Sequence, residues 1–287
     1  MKFNLHSASS PDHAFQIAAG LKEGWRYIAG GTDLVIQLRR GVREAADLID
    51  LSRISALRTI ETSDTSFRIG ALCTHKDLEG HAALVREFPA LQAAARVVGG
   101  HQIRNVGTVG GNLANASPAA DVAVALLALD AKVHVRGPSG TREIAIDDLF
   151  VSSGKTTLQP AEMIERIEVT RHGDRSRSVF LKVGRRKAME ISVVSAAVSL
   201  KFDAGGVCES ARIALGAVGP RPLRAKAAEK LLQGEVVDAA LVADATALAR
   251  DECTPRSDPR ASAAYRTAVV EGLVKRAIAQ CAAALSR

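Results

Sequence analysis

The chain has 287 residues, 47% of them hydrophobic and 24% charged, a balance that excludes wholesale disorder, collagen-like repetition and a coiled-coil rod. At roughly 150 residues per domain, the length fits two domains or one large domain with an appended piece. The formal charge of +7 is uneven, because residues 1–176 hold 20 basic and 20 acidic side chains while residues 177–287 hold 18 and 11.

Ser10-Pro11-Asp12 supplies an N-cap, a proline at the first helical position and an acid in the first turn, which predicts a helix to about residue 22, stopped by Gly24. Residues 25–29 read as a short strand, Gly30-Gly31-Thr32 as a tight turn, and residues 33–40 as a helix closed by Gly41. Residues 48–51 read as a second buried strand, and the alternating segments 57–61 and 67–71 as a hairpin. A helix is expected over about 84–98, then a glycine-rich segment over 99–116, then an apolar helix over 121–129. Residues 132–136 alternate strictly, and Gly137-Pro138-Ser139-Gly140 turns the chain into another hairpin. The polar stretch 171–178 marks the expected domain boundary. Beyond it, 192–202 and 211–217 read as strands, and 226 onward as helices broken by Pro255 and Pro259.

The longest apolar run, residues 122–129, is far short of the ~18 residues that cross a bilayer. The first residues lack the apolar core of a secretory signal, so a cytoplasmic protein is expected. Cys73, Cys208, Cys253 and Cys281 form no CxxC pair, and the seven histidines form no HxxxH or HExxH, so neither a disulfide framework nor a metal site of local spacing is indicated. The basic C-terminal part raises the question of nucleic acid, but 3% aromatic residues give little stacking surface for single strands.

Two glycine-rich turns carry the chemistry: Ala29-Gly30-Gly31-Thr32-Asp33-Leu34 and Thr108-Val109-Gly110-Gly111-Asn112-Leu113-Ala114-Asn115-Ala116. Each lacks side-chain bulk where a ligand would approach backbone, and each is expected to aim successive N–H groups at an anion, with a helix dipole assisting the first. Together they would clamp a pyrophosphate. No basic residue occurs between Asn105 and Ala131, so amides and the side chains of Thr32, Thr108 and Asn112 would hold it. No GxxxxGK[ST] string and no GxGxxG between strand and helix exists, which disfavours an ATPase or a nicotinamide-binding Rossmann domain.

The string Ile103-Arg104-Asn105-Val106-Gly107-Thr108-Val109-Gly110-Gly111-Asn112-Leu113-Ala114-Asn115-Ala116-Ser117-Pro118-Ala119-Ala120-Asp121 resembles the signature of the FAD-binding subunit of the molybdenum hydroxylases, of xanthine dehydrogenase and aerobic carbon monoxide dehydrogenase type. The first turn resembles that family's first flavin loop, residues 182–194 its loop near the flavin ring, and the segment from Asp258 to Arg266 the motif that opens its last helix. The resemblance implies an α+β chain with a p-cresol methylhydroxylase-type FAD-binding fold. Two α+β subdomains, about 1–55 and 56–176, would grip FAD, and a C-terminal α+β domain over 177–287 would add a small sheet and helices. It further implies that Ala29, Gly30, Gly31, Thr32, Asp33 and Leu34 line FAD through one loop and Thr108, Gly110, Gly111 and Asn112 through the other. Asp121 would lie near the ribityl and ring end, with Leu158 and Lys182 approaching the isoalloxazine. No residue is assigned catalysis on an organic substrate.

Each of these residues also has a purely structural role open to it. Asp121 stands where it could cap the helix it begins; Ser262 could cap the last helix with Tyr265 packed beneath it. Arg185, Arg186 and Lys187 suit a solvated face or a subunit-docking patch, and His101 a structural role. The implied partners are a large molybdenum-cofactor subunit and a small [2Fe–2S] subunit, in a dimer of heterotrimers that passes electrons through FAD to an external acceptor. The alternative is a stand-alone FAD-dependent NAD(P)H reductase of the same flavin fold.

Overall fold

Ser10 caps the first helix as expected, its hydroxyl accepting from the His13 amide at 3.0 Å. The computed structural model describes residues 2–186 and 188–283. Its N-terminal unit is a parallel three-stranded sheet of β1 (Asn4–Ser7), β2 (Trp25–Ile28) and β3 (Asp47–Asp50), in the order β1-β3-β2. The connections run through α1 (Pro11–Gly20) and α2 (Leu34–Arg39). Ala14, Phe15 and Ala18 on the inner face of α1 pack on Ile49 and Leu51.

The second unit is a five-stranded antiparallel sheet. It begins with the predicted hairpin, β4 (Ile60–Thr62) and β5 (Ser66–Gly70), with residues 55–58 in a short 3₁₀ turn rather than the extended start expected. A helical run follows: α3 (His75–Gly80), α4 (Ala82–Glu87), α5 (Pro89–Arg96), α6 (His101–Val106), α7 (Val109–Asn115) and α8 (Asp121–Ala128). The single helix expected over 84–98 is thus two. Pro89 cannot donate its amide, and it forces Phe88 to φ −130°, ψ 64°, outside the helical region. The glycine-rich segment is also more helical than expected, since α6 and α7 both lie in it. The sheet is completed by the hairpin β6 (Lys132–Gly137) and β7 (Gly140–Ala145), then by β10 (Met163–Thr170), giving the order β4-β5-β10-β6-β7. Between them lie α9 (Ile146–Leu149) and the small ribbon β8 (Phe150–Ser152) and β9 (Lys155–Thr156).

After residues 171–175 the chain enters a separate antiparallel sheet, β11 (Ser176–Val183), β12 (Val194–Phe202), β13 (Cys208–Gly216) and β14 (Leu223–Arg224). The helices α10 (Lys226–Leu232), α11 (Ala239–Asp251) and α12 (Ala263–Ala283) accompany it. β12 is almost wholly buried because α12 and α8 both pack on it. No helix among the described residues is long and apolar enough to cross a membrane.

Candidate cofactor cleft

The two glycine segments face one cleft of about 670 Å³, a size within the usual range for small-molecule sites. Nine predicted residues line it: Ala29, Gly30, Gly31, Thr32, Asp33, Leu34, Thr108, Gly111 and Asn112. At their crossing, a Cβ on Gly30 would run into the carbonyl of Val106, so only glycine lets the two segments meet there. Gly31 has φ +67°, a conformation that L side chains rarely adopt.

The segments differ in what they offer. Among the described residues, the amides of Gly30, Gly31, Thr32 and Asp33 find no backbone carbonyl acceptor, which leaves four successive donors for an anion. The expectation of successive free amides in the second segment is corrected. Gly110 N–H donates to Ala71 O at 2.8 Å, Gly111 N–H to Thr108 Oγ1 at 3.1 Å and Asn112 N–H to Thr108 O at 2.9 Å. The last two bonds form because Thr108 caps α7 and the chain turns helical at once, whereas the first ties α7 to the turn after β5. Gly110 does not line the cleft; a Cβ there would lie 2.7 Å from Ala71 Cβ, so its missing side chain serves packing. Gly111 differs, because a Cβ there would meet only Thr108 Oγ1, at 2.9 Å, with the cleft beyond. The second segment therefore presents the Thr108 hydroxyl and the Asn112 carboxamide.

Several cleft residues escaped sequence reasoning. His75, 2% exposed, enters the wall from α3, and its Nδ1 is buried without a partner. Burial first, and the Arg104 charge second, push its pKa down to about 4, so the ring is neutral at physiological pH. Gln37 Nε2 donates to Asn115 Oδ1 at 2.9 Å and joins α2 to α7 along the cleft. At the β2 end Arg26 and Arg43 line the same cleft; Arg26 Nε donates to Glu44 O at 3.0 Å and Arg43 Nη2 to Gly154 O, on another lining residue, at 3.1 Å. Burial and then the Arg43 charge hold the Arg26 pKa below its ordinary value. The absence of basic residues from 106 to 130 is therefore offset from elsewhere in the chain. The one available signal was that Arg26 lies in the strand feeding the first turn.

Asp121, Leu158 and Lys182 do not line this cleft. Leu158 is half-buried against the central core. Asp121 is the first residue of α8 and not its cap, a position Ala120 holds. Its carboxylate, 5% exposed, accepts from Lys182 Nζ at 2.7 Å and from Ser192 Oγ at 2.5 Å. Burial raises the Asp121 pKa, and the Lys182 charge opposes that rise. Lys182 is fully engaged, its ammonium also donating to Val97 O at 3.2 Å and to Glu190 O at 2.8 Å. Arg186 pairs with Glu190 at 3.2 Å and Arg185 donates to Pro259 O; Lys187 lies outside the described residues. Ser262 accepts from the Tyr265 amide, but the Tyr265 ring is 51% exposed and does not pack beneath it.

Free amides, a hydroxyl and a glycine-lined wall fit the pyrophosphate of a dinucleotide, and the unpartnered Asn112 Oδ1 fits a sugar hydroxyl. The sequence comparisons agree. Residues 1–171 match the profile of the FAD binding domain in molybdopterin dehydrogenase, and residues 179–281 that of the CO dehydrogenase flavoprotein C-terminal domain. The chain is 33% identical over 252 residues to the nicotinate dehydrogenase FAD-subunit of Eubacterium barkeri, covering 87% of this chain and 85% of the relative. It is 32% identical over 281 residues to the glyceraldehyde dehydrogenase medium chain of Sulfolobus acidocaldarius, covering 98% and 99%. A crystal structure of the Cu,Mo-CO dehydrogenase contains a chain that superposes with a TM-score of 0.94 at 31% identity, covering 99% of this chain and 98% of that one. Profile matches over most of its length, and a fold shared end to end with these proteins, place the chain in the family of FAD-binding medium subunits of the molybdenum hydroxylases, which are oxidoreductases.

Proposed function

We propose that this chain is the electron-transfer subunit of a three-subunit molybdenum hydroxylase. A large partner would hold the molybdenum cofactor and a small partner the [2Fe–2S] clusters, the whole assembling as a dimer of heterotrimers. The observation that carries the reading is the set of four unspent amides at Gly30–Asp33 opposite Thr108 and Asn112. The chemistry FAD supplies when bound is carriage of electrons from the partner's clusters to an external acceptor. This chain's own part is to hold and orient that group. The first segment would grip the pyrophosphate by its amides, and Thr108 and Asn112 would fix it from the other wall. Arg26 and Arg43 would neutralise charge at the β2 end, and Asp121 and Lys182 would flank the ring end. The stand-alone reductase finds no support among these relatives, which are named as subunits or medium chains.

The test is FAD titration of the purified chain followed by flavin fluorescence. Quenching to a single stoichiometric end point is expected, and Gly111→Leu should lose it while the C-terminal sheet stays folded. A chain that binds no FAD, or a variant that binds it unchanged, overturns the assignment. Mass spectrometry of chains co-purified from the source organism tests the partners; a monomer that oxidises NAD(P)H alone would favour the reductase.

A further inference from the structure

The segment opened by Asp258 resembled a family motif without acquiring a role. In the structure it supplies Arg266, on α12, whose guanidinium is buried at 2% exposure. One nitrogen, Nη1, donates to two carbonyls from different parts of the fold, Val193 O at 2.7 Å and Ala217 O at 3.0 Å. The second terminal nitrogen, Nη2, lies 2.8 Å from Asp258 Oδ1, a charge contact without hydrogen-bond alignment. Asp258 is itself fixed by the backbone and guanidinium of Arg260, at 2.8 Å and 2.6 Å.

The two carbonyls lead to the same place. Val193 follows Ser192, the hydroxyl donor to Asp121, and its amide closes the loop onto Val183 O at 2.8 Å, one residue beyond Lys182. That loop also supplies Glu190 O, an acceptor for Lys182. Ala217 sits at φ +62°, unusual for a residue with a Cβ, and its amide donates to Pro118 O at 2.7 Å, three residues before Asp121. The guanidinium meets the two carbonyls with one nitrogen and faces the carboxylate with another, a spread that the single nitrogen of a lysine does not reproduce.

We propose that Arg266 is a positioning residue, which fixes from the last helix the two backbone segments that set the Asp121–Lys182 pair and, through that pair, the ring end of the cofactor site. The last clause rests on the placement of Asp121 and Lys182 beside the flavin ring.

The test acylates the purified full chain, without added flavin, using acetic anhydride, and reads Lys182 by peptide mass spectrometry. Arg266→Lys should raise Lys182 acylation about tenfold, the scale of one lost hydrogen bond to a charged group, with helix and strand content unchanged. Asp258→Asn removes the counter-charge with little change of shape and should give a smaller rise; it carries the test should Arg266→Lys not fold. Val274→Ala opens a cavity in the same helix's core without touching the guanidinium. Equal acylation in Val274→Ala, or no rise in either clamp variant, overturns the proposal. With FAD bound, the reduction potential should shift in Arg266→Lys and not in Val274→Ala. A rise in acylation with an unmoved potential keeps the clamp and overturns the ring-end placement.

Discussion

Gly30-Gly31 and Gly110-Gly111 are the same dipeptide in the two segments that flank one cleft, and they serve it by different physical means. The first follows a strand of a small parallel sheet and leaves its amides unspent. The second lies in the first turn of a capped helix, where every amide from Val109 to Asn112 already has a protein acceptor. One segment supplies donors; the other supplies close packing and two polar side chains. A glycine pair in a sequence therefore reports backbone proximity, and the fate of its amides depends on the secondary structure that follows.

Substitutions can break this contrast. The largest effect is expected for Gly30→Val, whose side chain would enter the Val106 carbonyl; stability should fall by about 3 kcal/mol or more and flavin binding should vanish. Denaturant unfolding and FAD titration read the two losses, and a variant of ordinary stability that still binds FAD contradicts the crossing of the segments. Gly110→Val should cost about 2 kcal/mol against Ala71, yet keep stoichiometric flavin per folded molecule. Flavin loss without destabilisation would assign Gly110 to the ligand instead.

The wall behind the second segment gives a pH test. His75 has a folded pKa of about 4, below its unfolded value, so its contribution to stability is complete above pH 6.5 and is lost as pH falls towards 4. Between pH 7 and 5 the wild type should lose about 2 kcal/mol that His75→Leu does not lose. Parallel urea titrations would show it, and identical pH profiles would contradict a neutral buried ring. The smallest effect is Thr108→Ala, about 1 kcal/mol from the lost helix cap, with a further weakening of FAD affinity. A fall in stability alone would remove the hydroxyl from the ligand set.

Local signals carried much of the architecture. Ser10 and Pro11 place α1, and strict alternation places β6 and the hairpin with β7. Pro89 was also visible, but the apolar period on both sides masked its power to divide the helix. The glycines at 107–111 argued against helix because intrinsic propensity omits Ala71, whose carbonyl and methyl pin Gly110 from outside. The cleft was legible where both glycine segments contribute and obscure where the chain returns to it. Nothing near His75 or Arg43 in sequence indicates a shared wall, and the three acceptors of Lys182 come from residues 97, 121 and 190.

All eight residues of α8 are buried, and the helix touches β12, β13 and β14 of the C-terminal sheet as well as α5, α7 and α9. The profiles that divide the chain at 171 and 179 describe two heritable modules, but mechanically this helix is common property. Cleavage between them would leave an apolar cylinder bare, so neither half is a ready fragment for independent expression. A chimera exchanging the C-terminal module with a relative would have to bring a matching surface for α8, and its success would depend on that fit more than on the linker.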